Sequence, residues 1–182
     1  MNSMKIKKDI DLHLVKITGK RILLLPITLD FNKDIFQEFT EEITHYMIPS
    51  PPNDIKQVNS FIEMCQQGMN ANSDLVFVIT NICNNEFLGV CGLHEKSNPL
   101  EPELGIWIKK SAHGNHYGRE AIINLVKWAE INISYDFLRY PVDKKNISSR
   151  KIAEHLQGKI IHETEIENMS GHVLNEVVYR IG

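Results

Sequence analysis

Between residues 103 and 130 the chain reads as a strand that passes through a small-residue loop straight into its clearest amphipathic helix. In Glu103-Leu104-Gly105-Ile106-Trp107-Ile108 the side chains alternate, so Leu104, Ile106 and Ile108 share one face and Glu103, Gly105 and Trp107 the other. Further on, Ala121, Ile122, Leu125, Val126 and Ala129 recur at helical spacing, with Arg119, Glu120, Lys127 and Glu130 between them. The loop that joins the two is His113-Gly114-Asn115-His116-Tyr117-Gly118. A strand, a loop and a helix N-terminus in this order aim unpaired backbone amides outward. The helix dipole adds to them, so the spacing predicts a phosphate-binding turn.

The flanking segments are short and alternate in type. Residues 10–17 follow a period of two and predict a strand, paired as a hairpin with the apolar run 22–27, which Pro26 closes. Asp30 is the candidate cap of a helix that carries Ile35, Phe36, Phe39 and Ile43 and stops at Pro49, Pro51 and Pro52. Asn53 or Asp54 caps a second helix with Ile55, Val58, Phe61, Ile62 and Cys65 on one face, up to Gly68. Residues 75–82 and 87–93 predict a hairpin around Asn84, Asn85 and Glu86. Residues 137–142 predict a strand, 148–156 a helix stopped by Gly158, and 159–166 with 173–181 a final antiparallel pair. Strands, two helices, strands, helix, strand, helix, strands: the order predicts one mixed α/β (α+β) domain over residues 1–182.

Several classes are excluded. The formal net charge of -3 provides no positive field for nucleic acid or an anionic membrane. No run reaches the roughly twenty apolar residues a spanning helix needs. Lys5, Lys7 and Lys8 are followed by Asp9, Asp11 and His13 rather than by a signal core. Three cysteines without C-x-x-C spacing indicate neither a disulfide framework nor a zinc knuckle, so a soluble, cytoplasmic protein is expected. Cys65, Cys83 and Cys91 all lie in apolar surroundings and are expected to pack rather than react. His113 and His116 are spaced H-x-x-H but lack a third ligand, so no metal is expected. Neither G-x-G-x-x-G nor Gly-Lys-Ser/Thr occurs after the loop, which disfavours a Rossmann or P-loop nucleotide site.

The hexapeptide His113-Gly114-Asn115-His116-Tyr117-Gly118 resembles the coenzyme A signature of the GNAT superfamily, Gln/Arg-x-x-Gly-x-Gly/Ala. His113 stands for the usual Arg or Gln, and His116 for the first Gly. Three more stretches resemble the ribosomal-protein-type (RimJ/RimL-like) branch, in the order that branch carries them. They are Ile43-Thr44-His45-Tyr46-Met47 with the prolines that follow, the strand from Glu103 to Ile108, and the helix from Asn146 through Ser149 and Glu154 to Leu156.

The resemblance implies a GNAT fold with a mixed, mostly antiparallel central sheet of six to seven strands and about four flanking helices. It implies acetyl-CoA (coenzyme A) as co-substrate, a primary amine of a protein N-terminus or small molecule as acceptor, direct attack in a ternary complex, and a monomer or homodimer. Backbone groups around Trp107 and Ile108 would pair with the pantetheine arm between two splayed parallel strands. The loop His113, Gly114, Asn115, His116, Tyr117, Gly118 and Arg119 would hold the pyrophosphate. Asn146 would bond the pantetheine, and Ser149 would reach the phosphates. Lys109, Lys110, Arg119, Lys144, Lys145, Arg150 and Lys151 crowd the same end and would attract a polyanion.

Acetyl transfer needs an amine that has lost a proton. Glu103, opposite the core-facing Leu104 and Ile106, is the candidate base, or orients the amine alone. An α-amino group, with a pKa of about 7.7 to 8.0 against about 10.4 for lysine, needs little help. Tyr46 is a candidate for the acceptor cleft, whereas Trp107 reads as packing. The family's usual helix tyrosine, donor to the leaving thiolate, is Ala153 here, which leaves Ser149 or Tyr140 for that role. The replaced motif positions and the missing tyrosine motivate an alternative, a non-catalytic acyl-CoA-binding regulator of the same fold.

Overall fold

The computed structural model describes residues 3–182. Eight strands form one sheet: β2 (Ile17–Thr18), β3 (Ile22–Pro26), β4 (Asp74–Asn81), β5 (Phe87–His94), β6 (Glu103–Ile108), β8 (Leu138–Asp143), β10 (Val173–Ile181) and β9 (Lys159–Glu167), in that spatial order. The remaining two, β1 (Lys5–Ile6) and β7 (Ile133–Ser134), pair with each other. Five α-helices accompany them: α1 (Asn32–Glu38), α2 (Glu41–Thr44), α3 (Ile55–Asn70), α4 (Tyr117–Asn132) and α5 (Ile147–His155).

The architecture is the expected mixed α/β sheet, mostly antiparallel and flanked by helices. It has eight strands where six to seven were expected, because the short β2 is held at one edge by Ile17 opposite Leu24. The helix count rises from about four to five because the segment after Asp30 breaks at Phe39 and Thr40, whose backbones leave the helical region. Phe39 turns its ring onto Trp107, 4.9 Å between centroids.

Two local expectations fail. Residues 12–14 form a 3₁₀ turn instead of strand, capped by Asp11, which accepts from the His13 amide; Leu12 is buried while Leu14 is 74% exposed. The alternation was real, but a side-chain cap diverted the backbone from the ladder. Asp30 does not cap α1; its carboxylate accepts from Thr28, and a 3₁₀ turn at Leu29–Phe31 leads into the helix. Asp54 does cap α3, accepting from the Lys56 amide at 2.9 Å.

The parity read from β6 holds. A Cβ added at Gly118 in α4 would lie 3.3 Å from Ile108 and 3.4 Å from Ile106, whereas Trp107 on the opposite face meets Phe39 and Phe87. Buried Ala121, Ile122, Leu125 and Ala129 seal α4 onto the sheet. β4 and β5, covered on both faces, are buried almost throughout.

Among the described residues, the only parallel pairing in the sheet joins β6 to β8, at the single position Glu103 opposite Arg139. There the Arg139 amide donates to the Pro102 carbonyl at 2.9 Å. Along a strand every second amide points to the same neighbour, so the next one aimed at β6 would belong to residue 141. That residue is Pro141, which has no N–H. The strands diverge from this point, and the divergence opens the site.

Candidate active site

A cavity of about 650 Å³ occupies the wedge between β6 and β8. Tyr46, Trp107, Tyr140, Asn146, Ser149 and Glu176 line it, so it gathers residues from separated stretches of chain. On the β6 side, the Lys109 amide donates to the Leu88 carbonyl of β5. That bond sets the parity: the backbone groups of Trp107 also face β5, and those of Ile106 and Ile108 face the gap. The expectation for Trp107 is therefore corrected, because its peptide groups serve the β5 ladder and its indole lines the cavity. Ile108 keeps its amide for a ligand, since the ring Nε2 of His113 donates to its carbonyl at 2.7 Å.

Beyond the gap lies the loop. Among the described residues, no protein acceptor pairs with the backbone amides of Gly114, Asn115, His116, Tyr117, Gly118 or Arg119. Gly114 at φ 79° and His116 at φ 62° bend the chain so that these amides gather ahead of α4. His116 thus holds the left-handed conformation that the family signature gives to glycine, at a cost of about 1–2 kcal/mol. The Asn115 side chain braces the loop through the carbonyls of Ala112 and His113. At Gly118 the missing side chain faces Ile106, Ile108 and Ile152 rather than the open side, so it sets how closely α4 packs. At Gly114 an added Cβ would meet nothing within 4 Å, which leaves room for an oligoanion. Arg21 stacks on the Tyr117 ring at 4.8 Å and pairs with Glu120 at 2.9 Å, anchoring the start of α4.

Much of the basic cluster is spoken for. Lys109 pairs with Glu86, Lys110 with Glu42, Lys144 with Glu163, and Arg150 with Glu154 and the Tyr179 hydroxyl. Arg119, Lys145 and Lys151 have no carboxylate partner among the described residues and supply the positive charge beside the open amides.

At the inner end, the Tyr140 and Ser149 hydroxyls lie 2.8 Å apart, and burial pushes the Tyr140 phenol up, keeping it neutral. Ser149 is therefore turned toward Tyr140. Asn146 caps α5, its side-chain oxygen accepting from the Ser149 amide at 3.2 Å, which leaves its NH₂ to donate to a ligand. Ala153 is fully buried, so nothing at that position reaches the cavity.

The outer end joins the proline loop to the C-terminal hairpin, for the Met169 amide donates to the Ile48 carbonyl and Asn168 to the Met47 carbonyl. Tyr46 lines the cavity. Glu103 meets two groups the sequence reading missed, Glu176 from β10 and His94 from β5. Each sits in an unremarkable strand pattern; only register brings them together. Burial first, then the charge of Glu103, hold the Glu176 carboxyl above its ordinary range despite Arg139 and His162. A raised folded pKa means that Glu176 favours the folded state only when protonated, and costs stability as pH rises through that value. Glu176→Gln is expected to raise the Tm at pH 7 by about 1–3 °C, with the difference gone below about pH 4, where both states are protonated. Thermal melts across pH check this.

The cysteines divide. Burial pushes Cys65 up to about 12, and Cys91 is also raised by burial. Cys83 is exposed in the β4–β5 turn rather than packed, because its amide closes a turn on Asn81. No cluster of three or more metal-ligating side chains occurs among the described residues. No helix among them is long and apolar enough to cross a membrane.

No curated protein sequence matches the chain. Among solved structures, RimL, a ribosomal L7/L12 α-N-protein acetyltransferase in complex with coenzyme A, superposes with a TM-score of 0.82 at 12% identity, covering 91% of this chain and 97% of that one. The microcin C7 self-immunity acetyltransferase MccE, in complex with acetyl-CoA and AMP, gives 0.78 at 16% identity, covering 89% and 92%. A GCN5-related N-acetyltransferase from Brucella melitensis gives 0.77 at 13%, covering 99% and 82%. These likenesses are of fold. The family model described as an acetyltransferase (GNAT) domain matches residues 21–159, and the chain belongs to the GNAT family of acyl-CoA-dependent acetyltransferases.

Proposed function

We propose that the chain is one catalytic domain that transfers the acetyl group of acetyl-CoA to a primary amine, held between the Tyr46 loop and the acidic pair Glu103 and Glu176. The observation that carries this reading is the wedge at Glu103: open backbone of β6 and a carboxylate pair line one cavity, and the open amides precede α4, which packs on the far end of β6 at Ile106 and Ile108. The open amides of residues 114–119, with Arg119, Lys145 and Lys151, suit the phosphates of coenzyme A. The free groups of Ile106 and Ile108 and the NH₂ of Asn146 suit the pantetheine arm. Bound there, acetyl-CoA supplies an activated acetyl carbonyl. Glu103 and Glu176 attract and orient the ammonium of the acceptor, and Trp107, Tyr46 and the prolines exclude water around it. The acceptor is a protein N-terminus, as the likeness to RimL suggests, or a small amine reaching the cytoplasmic enzyme. The net charge of -3 argues against a nucleic-acid partner.

The test is turnover. Purified protein is incubated with acetyl-CoA and a panel of amines, including peptides with free N-termini, while free thiol is followed. Thiol release above background is expected. Glu103→Gln should lower kcat/KM by about 10–100-fold, mainly through KM, the loss of one hydrogen bond to a charged group. Tight acetyl-CoA binding without thiol release from any amine would favour the non-catalytic regulator instead.

A further inference from the structure

Three glycines surround one histidine–aspartate pair in the cavity wall. His94 Nδ1 lies 2.6 Å from Asp74 Oδ1, and Ser73 donates to Asp74 Oδ2 at 2.9 Å. A Cβ at Gly68 of α3 would collide with the Asp74 carboxylate. One at Gly92 of β5 would lie 2.8 Å from His94 Nε2, and one at Gly105 of β6 3.5 Å from it. None of these glycines has a positive φ, so it is the vacated space that they contribute. The imidazole lies across β5 and β6 on the face that carries Glu103, its register partner. Side chains so paired stand about 4.5–5.5 Å apart at Cβ.

Burial alone would raise the pKa of Asp74, but the hydrogen bond and charge of His94, with Ser73 and Lys96, hold it below its ordinary range. Asp74 is therefore an anion at neutral pH. An anion can only accept, so Nδ1 carries the proton of the neutral ring and Nε2 presents a lone pair. No protein group among the described residues bonds that Nε2, and His94 lines the cavity. Lys96, Glu103 and Glu176 line the same cavity.

We propose that His94, oriented by Asp74, is the general base that takes a proton from the acceptor ammonium held by Glu103 and Glu176; this rests on the acetyltransferase reading above. One ammonium proton passes to Nε2. The freed nitrogen lone pair forms the C–N bond, the C–S bond breaks, and its electron pair leaves on sulfur. Sulfur takes a proton from the Ser149 hydroxyl, which is refilled by the proton that the new amide nitrogen sheds. His94 returns its proton to solvent.

Two acceptors separate this role from a structural one. Benzylamine is charged at neutral pH and needs a base, whereas hydroxylamine is uncharged and needs none. With benzylamine, His94→Gln is expected to lower kcat by about 100-fold and Asp74→Asn by about tenfold. With hydroxylamine both variants should stay within about threefold of wild type, which also shows that they fold. Equal losses with both acceptors, or none with benzylamine, would overturn the assignment of His94 while wild-type turnover left the acetyltransferase reading standing. A wild-type protein that binds acetyl-CoA yet transfers to neither acceptor would overturn both.

Discussion

Ser149→Ala is expected to lower kcat by about 10–100-fold, the worth of one hydrogen bond to a developing charge, while the Kd for acetyl-CoA stays within about threefold. The Tyr140 hydroxyl is 2.8 Å from Ser149 Oγ, and Tyr140 is 2% exposed. A buried phenol must spend its proton on a partner, and Ser149 is the partner present. With Tyr140 donating, the Ser149 proton is free to point into the cavity, where negative charge collects on the departing sulfur. Alanine removes that donor without touching the α5 cap, which runs through the Ser149 backbone amide. Tyr140→Phe should follow in the same direction with a smaller loss, since Ser149 remains but is no longer oriented. Steady-state kinetics with calorimetric titration of acetyl-CoA read both quantities; an unchanged kcat in Ser149→Ala would show that sulfur leaves without this donor.

Gly118→Val is expected to weaken acetyl-CoA binding by at least about tenfold and to lower the Tm by about 2–12 °C, as overpacking of about 1–3 kcal/mol requires in a chain of this size. The first added carbon already lies 3.3–3.5 Å from Ile108, Ile106 and Ile152. Alanine asks the Ile108 side chain to give by only a few tenths of an ångström, so Gly118→Ala should bind normally, whereas two further methyl groups must lift α4 from β6. The amides proposed to hold the phosphates belong to the turn being lifted. Loss of stability and loss of affinity should therefore appear together in the valine variant, by thermal melt and titration. A valine variant with wild-type affinity would detach the start of α4 from the phosphate site.

The two sites of substitution differ in how legible they were. The stripe of Ala121, Ile122, Leu125, Val126 and Ala129 and the alternation in β6 are local periodicities, and a backbone that obeys them buries the same face in any context. The loop between them was readable for the same reason. The role of Gly118 was not: its neighbours come from β6 and α5, and no spacing within the loop names them. Cys83 and Asp30 went astray where one side chain had two possible hydrogen-bonding partners and the surrounding packing chose between them.

The family motifs named Glu103, Asn146 and Ser149 for the cavity, and each lines it. They did not name Asp74, His94 or Glu176. These residues come from β4, β5 and β10, separated by long stretches of chain, and become neighbours of Glu103 only through strand order and register.

Outside residues 10–17 and the break at Phe39 and Thr40, the sequence by itself determined which segments are strand or helix, and it determined that a turn rich in free amides precedes α4, because these follow from side-chain period and backbone chemistry over a few residues. Even the missing amide that parts β6 from β8 is written at Pro141. Tertiary structure alone decided what the parted strands enclose. Register shifts of a single residue exchange the faces of a strand, and no local preference sets the register between segments that are distant along the chain.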